Sequence, residues 1–215
     1  MITIYFVSGL GADERAFQLL KIGPVNKKYI QWQAPERNES LEHYVRKLSL
    51  QVADPGNSII VGLSFGGIIA VELSKILHFA KTVIISSIKS SDELPRHFKF
   101  LKYFKIYKLA PYKVFNRYNS IISYAFGITS GFENEILKNV IEETDPRLIK
   151  WAIDKVINWN NPPTTGNIIH VHGTDDRLFP YRFIKNAIKV EGGTHFMIVN
   201  KAEIISSIIS KELNS

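Results

Sequence analysis

The stretch VGLSFGGIIA (residues 61–70) places one serine between glycines, directly after a β-branched apolar run and before a second apolar run. Ser64 therefore stands where a strand would end and a helix begin, with Gly62 and Gly66 two positions away on either side. A serine lifted clear of such a turn needs unusual backbone angles, and the close approach of strand and helix leaves no room for side chains at the two glycine positions. Glycine and serine are also ordinary turn residues. The stretch therefore indicates a nucleophile only if the rest of the chain supplies its partners.

Short apolar runs alternate with longer segments of helical spacing on both sides of this serine. The pattern predicts six strands, at residues 2–7, 29–33, 58–62, 82–86, 168–171 and 187–190. Helices are predicted at residues 13–22, 41–52, 65–77, 181–186 and 202–213. Nearly continuous apolar strands are typical of a sheet covered on both faces, and alternation with helices is typical of parallel strands. The sequence therefore predicts an α/β fold with a mostly parallel six-stranded sheet flanked by helices.

One long segment interrupts the alternation, because only helices are predicted in it, at residues 98–109, 114–126, 134–143 and 146–159. An excursion of this length between two strands is too long for a loop. We therefore expect an all-helical cap subdomain at residues 89–163, inserted in a core made of residues 1–88 and 164–215. Ligands of α/β proteins bind at the carboxyl ends of the strands, so a cap leaving that edge would cover the site.

A serine hydroxyl becomes a strong nucleophile only when a base removes its proton and an acid orients that base. His195 lies in VEGGTHFMI (residues 190–198), in a glycine-flanked loop just after the last predicted strand. Asp175 and Asp176 follow the fifth strand in HGTDDRLFP (residues 172–180), and only one of them can face the histidine. Position favours Asp176, and the chain order Ser, Asp, His is the one expected for a nucleophile on a strand-to-helix turn. Asp175 is then a turn residue or an anion at a helix N-terminus.

With these pieces in order, the motifs GLSFGG (residues 62–67), HGTDDRLFP and GGTHFMI (residues 192–198) resemble those of the α/β-hydrolase superfamily, and the resemblance covers nearly the whole chain. It implies an α/β-hydrolase fold that starts on the family's third strand and so lacks the first hairpin. The helical insertion falls where the family places its cap. The resemblance also implies Ser64 as nucleophile, His195 as base and Asp176 as the acid of a catalytic triad.

The stretch VSGLGADERAF (residues 7–17) looks like the superfamily's oxyanion loop. By that resemblance, the oxyanion hole consists of the backbone N–H groups of Leu10 and Phe65. The family's loop usually opens with His-Gly, whereas this chain has Ser8 followed by Gly9. We therefore expect altered support of the loop with catalysis retained.

The chemistry implied is acyl transfer in two steps, through an acyl-enzyme on Ser64 that water then releases. A carboxylic ester is the default substrate class, with thioesters, lactones and amides also open, and neither a metal nor an organic cofactor is needed. Two other classes of function stay open because one fold supports many reactions. The first is a lyase or C–C hydrolase that uses the triad as a base on an acidic small molecule. The second is a non-catalytic ligand receptor.

Histidines other than His195 indicate no metal site. His170 and His172 share one face of a predicted strand, but no carboxylate or thiolate set accompanies them, so we interpret them as structural. The chain has no cysteine, which excludes disulfides and thiolate ligands and fits a reducing compartment.

The positive charge is concentrated in one part of the chain. The net charge is +7, and residues 89–117 hold eight basic and two acidic residues, which is six of those seven charges. In RHFKFLKYFKIYKLAPYK (residues 96–113) every third residue from Lys99 to Lys108 is a lysine, which would spread the charge over about half the circumference of one helix. Three interpretations stay open: a solvated face, a mouth that attracts anionic substrates, and a basic amphipathic helix resting on anionic lipid with aromatic anchors.

The N-terminal stretch MITIYFVSGL (residues 1–10) lacks the basic start and the long apolar region of a signal peptide, and no run reaches the about 18 apolar residues of a membrane span. We therefore expect a soluble, cytoplasmic protein. Its expected partner is a small-molecule substrate, anionic or acyl-bearing. Nucleic acid is not expected as a partner, because no recognition module accompanies the localised charge.

Overall fold

The computed structural model describes residues 1–163 and 168–213. The strands are β1 (Thr3–Val7), β2 (Asn26–Tyr29), β3 (Ser58–Leu63), β4 (Lys81–Ile85), β5 (Ile168–Gly173) and β6 (Ile188–Val190). The α-helices are α1 (Leu41–Ser49), α2 (Phe65–Ile76), α3 (Arg96–Phe104), α4 (Ser120–Phe126), α5 (Gly131–Glu143), α6 (Pro146–Asn158), α7 (Met197–Asn200) and α8 (Ala202–Leu213). Short 3-10 turns lie at Glu14–Phe17, Ser91–Glu93, Ile106–Lys108, Tyr112–Val114 and Tyr181–Phe183.

The six strands form one sheet in the order β2-β1-β3-β4-β5-β6, and every neighbouring pair is parallel. In the register, Gly62 of β3 lies opposite Val7 of β1 and Ile84 of β4, so the carboxyl ends of the central strands lie at one edge. The predicted α/β class and six-stranded sheet are confirmed, and the sheet is entirely parallel rather than mostly so.

Alternate residues of the strands supply two separate cores, one on each face of the sheet. Tyr5 and Val7 pack in a cluster with side chains of α1, α2 and α6. Ile4 and Phe6 point the other way and pack against α7 and α8. Both faces of the sheet are therefore covered, which explains why the strands read as continuous apolar runs.

Outside the insertion, three predicted elements differ most from the structure. The helix predicted at residues 13–22 is only the 3-10 turn Glu14–Phe17, because the chain turns after it to bury Phe17 and Leu20. The helix predicted at residues 181–186 is the 3-10 turn Tyr181–Phe183 that follows Pro180. The strand predicted at residues 29–33 is centred earlier, at Asn26–Tyr29, since these residues pair with β1.

Within the insertion, the single helix predicted at residues 98–109 is broken. Helix α3 ends at Phe104, Lys105 takes the left-handed conformation with φ 52°, and the 3-10 turn Ile106–Lys108 follows. Lys150 of α6 donates to the carbonyl oxygens of Lys108 and Ala110, at 2.8 and 2.7 Å. A side chain from a distant helix thus satisfies backbone carbonyl oxygens of the segment that follows α3. The helix predicted at 114–126 begins only at Ser120, where the Asn119 side chain accepts from the amides of Ile121 and Ile122.

Helices α3 to α6 lie between β4 and β5 in the chain and are tied to the sheet-bearing part at several points. Trp151 of α6 donates its indole N–H to Glu39 O at 2.9 Å, and its ring lies 4.4 Å from that of Tyr44. Asn200 of α7 donates to Glu133 of α5 at 2.9 Å. The boundaries at 88/89 and 163/164 stay predictions, and residues 164–167, which open the second core segment, lie outside the described residues.

None of the helices described here combines the length and the apolar character that crossing a bilayer requires.

Candidate active site

Ser64 stands between β3 and α2 in a backbone conformation that L residues rarely adopt, with φ 52° and ψ −121°. The flanking glycines permit this turn. A Cβ atom on Gly62 would lie 2.3 Å from Gly66 O, and a Cβ atom on Gly66 would lie 2.2 Å from Ser8 O. Both distances are far below contact, so the glycines are required sterically, as predicted from the spacing. The turn holds the Ser64 hydroxyl at the carboxyl edge of the sheet.

The structure brings the predicted serine, histidine and aspartate together, although Ser64 lies more than a hundred residues from the other two in the chain. Ser64 Oγ is 2.8 Å from His195 Nε2, and His195 Nδ1 is 2.8 Å from Asp176 Oδ2. An ionised carboxylate only accepts, so Nδ1 carries the proton and Nε2 is left to accept from the serine hydroxyl. This is the arrangement in which a histidine can take the serine proton.

The structure separates the two adjacent aspartates. Asp176 is buried, and its Oδ1 accepts from the amides of Leu178 and Phe179 at 2.9 and 2.8 Å. Burial alone would raise the pKa of Asp176, but the charge and hydrogen bond of His195 outweigh it, so its pKa lies below the usual value. Asp175 is exposed and accepts from the Thr174 hydroxyl at 2.9 Å. Asp176 is therefore the carboxylate that faces the histidine.

A second histidine lies behind Asp176. His172 Nε2 is 2.8 Å from Phe179 O and 3.4 Å from Asp176 Oδ2. A carbonyl oxygen accepts, so Nε2 carries the proton, and burial lowers the pKa of His172, which leaves Nδ1 free to accept. His170 Nε2 is 3.3 Å from that Nδ1, and burial, with the charges of His172 and Lys89, lowers the pKa of His170 to about 3.

The His170–His172 pair is thus a neutral buried network, and His172 lies beside the negative charge of Asp176 while its N–H is donated to Phe179 O. Sequence reasoning interpreted both histidines as structural and missed this contact. The available signal was the spacing of four residues between His172 and Asp176 across the end of β5.

The loop after β1 lies against the serine. A Cβ atom on Gly9 would lie 3.6 Å from Ser64 Cβ, and the loop turns where the Ala12 amide donates to Gly9 O at 3.0 Å. The Leu10 amide takes no part in that bond, and the Phe65 amide, first in α2, has no acceptor within the helix. These are the two amides predicted as the oxyanion hole.

Ser8, which stands where the resemblance implies a histidine, supports this loop from inside. Its hydroxyl donates to Ala12 O and accepts from the Trp32 indole N–H at 2.9 Å. Ser87, at the end of β4, fixes the turn from the other side by donating to Ser64 O at 2.7 Å. Trp32 and Ser87 carried no sequence signal, because both act through contacts between distant segments.

Two cavities meet at Ser64. The first, of about 240 Å³, is apolar apart from the serine hydroxyl and extends under the insertion. Its lining residues include Phe98, Phe115, Ile122, Ile149, Ile153 and Val156. The second, of about 180 Å³, contains His195 in its wall together with polar side chains of Asp13, Arg15, Gln18 and Asn139. Leu10, Ile141 and Phe126 border both, and the ring of Phe126 lies 5.0 Å from that of His195.

Among the described residues, one cluster has the ligand types of a metal site. Carboxylate and imidazole atoms of Glu36, Glu39 and His43 lie within 4.8 Å of one another. Lys47 Nζ lies 2.9 Å from Glu39 Oε1. Burial would raise the pKa of Glu39, but hydrogen bonds from the Glu36 amide and the Lys47 side chain outweigh it, so the pKa of Glu39 is lowered. We interpret the cluster as an ion-pair network, because a cation already occupies the place of the metal.

No protein-family model and no curated protein matches the sequence. Solved structures do match the fold. A carboxylesterase structure from Nitrososphaera gargenis has a TM-score of 0.71 at 14% identity, covering 99% of this chain and 90% of that chain. A bromoperoxidase from Bacillus anthracis has a TM-score of 0.68 at 13% identity, covering 100% and 92%. A variant of the N-acyl homoserine lactonase AidH, complexed with N-hexanoyl homoserine, has a TM-score of 0.67 at 14% identity, covering 99% and 88%.

Proposed function

Because the chain has the fold of the α/β-hydrolase superfamily, with Ser64, His195 and Asp176 in one line of hydrogen bonds, we propose that it is a serine hydrolase of small-molecule carboxylic esters. The observation that carries the proposal is the strained turn that holds the Ser64 hydroxyl 2.8 Å from His195 Nε2. Strain of this kind costs free energy and persists where a function requires it.

In the first step, Ser64 Oγ attacks the acyl carbon of the ester while its proton moves to His195 Nε2. The amides of Leu10 and Phe65 donate to the oxyanion, and the positive end of the α2 dipole points at the same place. The bond between the acyl carbon and the leaving oxygen then breaks, and His195 returns the proton to that oxygen. In the second step His195 takes a proton from water, the hydroxide attacks the acyl-enzyme, and Ser64 regains its proton.

The two cavities divide the substrate between them. His195 lies in the wall of the second cavity and not of the apolar one, so the leaving oxygen that receives its proton lies on that side. The acyl chain then occupies the apolar cavity, whose lining is aliphatic and aromatic. A lactone would react by the same steps, except that its leaving oxygen stays covalently attached to the acyl group. The lactonase among the similar structures supports testing lactones beside esters.

Ile153→Phe is expected to shorten the acyl chain that the protein accepts, because Ile153 of α6 is half-buried in the wall of the apolar cavity. The kcat/KM for p-nitrophenyl acetate should change little, while that for the octanoate should fall about tenfold or more. Ile136→Phe is the matched control, since Ile136 lies in the wall of the second cavity and its change should leave the chain-length profile intact. A chain-length profile that shifts with Ile136→Phe and not with Ile153→Phe would mean that the acyl chain lies in the second cavity, which would contradict this assignment.

The lining of these cavities gives little support to an anionic substrate, and hence to the lyase alternative. Among the described residues that line either cavity, Arg15 is the one lysine or arginine. Its guanidinium is already 2.9 Å from Asp13 and 2.7 Å from Glu143. A non-catalytic ligand receptor would need neither the strained turn at Ser64 nor the hydrogen bonds that join Ser64, His195 and Asp176.

A further inference from the structure

The outer surface of the insertion is unusually apolar for a protein face in water. Residues 100–114 contain seven large apolar side chains that are exposed: Phe100, Tyr103, Phe104, Ile106, Leu109, Tyr112 and Val114. Tyr103 is 81% and Leu109 86% exposed. Single exposed apolar residues are ordinary, whereas a cluster of this kind marks a contact surface. We call residues 100–114 the outer face.

The exposed rings of Phe100, Tyr103 and Phe104 pack on one another. The ring centroids of Phe100 and Phe104 are 4.3 Å apart, and those of Tyr103 and Phe104 are 5.0 Å apart. The opposite side of α3 does face inward, because Phe98 lies 6.1 Å from Phe179 and lines the apolar cavity. Helix α3 therefore has two apolar sides, of which one covers the cavity and the other has no partner in the described structure.

The outer face also carries an excess of positive charge. It contains four lysines and no acidic residue. Within the part of the chain that the structure describes, Lys108 is the one of these lysines that pairs with a carboxylate, Asp154, at 3.2 Å. Lys102, Lys105 and Lys113 are exposed to solvent.

Exposed apolar side chains interleaved with unpaired lysines are complementary to the surface of an anionic bilayer. There, rings and aliphatic chains enter the interface while the lysines meet lipid phosphates. A second copy of this chain would bring two positive faces together, which disfavours it. Nucleic acid would leave the aliphatic side chains of Ile106, Leu109 and Val114 without a role, since bases stack on rings.

We propose that the outer face docks this protein on an anionic lipid surface. The proposal is independent of the proposed hydrolysis, because it concerns the outer side of α3 and not the cavities. Binding is therefore measured with the Ser64→Ala protein, which also prevents any consumption of lipid during the experiment.

The experiment is co-sedimentation of this protein with vesicles of phosphatidylcholine alone and of phosphatidylcholine with about 30 mol% phosphatidylglycerol. Binding to the anionic vesicles should be about tenfold tighter or more, and should weaken about tenfold when NaCl rises from about 0.1 M to about 0.5 M.

Matched double variants assign the binding to the outer face. Tyr103→Ser with Leu109→Ser, and separately Lys102→Gln with Lys105→Gln, should each weaken binding about tenfold. Leu50→Ser with Ile204→Ser and Lys21→Gln with Lys211→Gln likewise remove two large apolar side chains or two positive charges at exposed positions elsewhere, and should leave binding unchanged.

Three results would overturn the proposal. The first is a lack of binding to anionic vesicles, or a loss of binding in the control variants equal to that in the outer-face variants. Equal losses in the two lysine pairs would mean that binding depends on net charge and not on the outer face. The second is tighter binding to a DNA duplex than to the vesicles. The third is a dimer in solution that Tyr103→Ser with Leu109→Ser converts to a monomer, because the outer face would then be covered by a second copy.

Discussion

Ser64→Ala is expected to lower the kcat/KM for a p-nitrophenyl ester of the preferred chain length by about 100,000-fold or more, because the acyl-enzyme can no longer form. The side chain lost is a single hydroxyl, and alanine occupies the same strained turn, so the melting temperature should stay close to that of the wild type. The measurement is steady-state hydrolysis across the ester panel, with the melting temperature recorded for each variant.

Ser74→Ala is the matched control, since Ser74 lies in α2, the helix that follows Ser64, and donates to Val71 O at 2.8 Å, away from the cavities. It should retain wild-type activity. Adding His195→Ala to Ser64→Ala should cost little more than Ser64→Ala alone, because residues that act as a unit are not additive. A Ser64→Ala protein with undiminished hydrolysis would place the activity elsewhere in the molecule.

Asp176→Asn is expected to lower kcat by about 10,000-fold, because the amide would present an N–H to His195 and favour the wrong tautomer of the imidazole. The fold should tolerate the change, since the remaining carbonyl oxygen of asparagine can still accept from the Leu178 and Phe179 amides. The measurement is kcat on the same ester panel.

Asp175→Asn makes the identical change one residue earlier, at an exposed carboxylate that accepts a hydrogen bond from the Thr174 hydroxyl. It should leave kcat within about twofold of wild type. The pair of variants separates the roles of two adjacent aspartates that the sequence alone left to a positional argument. A large loss in Asp175→Asn with little in Asp176→Asn would contradict the hydrogen-bond geometry.

The fold and the three central residues were predictable because their signals are local. Gly62, Ser64 and Gly66 indicate the strand-to-helix turn within five residues. The continuous apolar strands indicate a sheet that is covered on both faces. His195 and Asp176 each follow a strand, so a parallel sheet brings them to the same edge as Ser64. The structure places all three in contact, and their catalytic roles stay predictions.

What the sequence could not predict depends on contacts between distant segments. Helix α3 stops at Phe104, where the prediction ran on to 109, and the segment after it is held by Lys150 of α6, which donates to carbonyl oxygens of residues 108 and 110. His172 supports Asp176 through its position behind the carboxylate, which alternation along a strand does not reveal. The division of the space at Ser64 into two cavities likewise depends on how α4, α5 and α6 pack.

The most direct test of the central claim, an activated serine at position 64, is intact-mass analysis after treatment with a fluorophosphonate. The wild-type protein should gain one phosphonyl adduct, located on Ser64 by peptide mapping. Ser64→Ala should gain none, and His195→Ala should react about 1,000-fold more slowly. A folded wild-type protein that gains no adduct, or an adduct that persists in Ser64→Ala, would contradict the account.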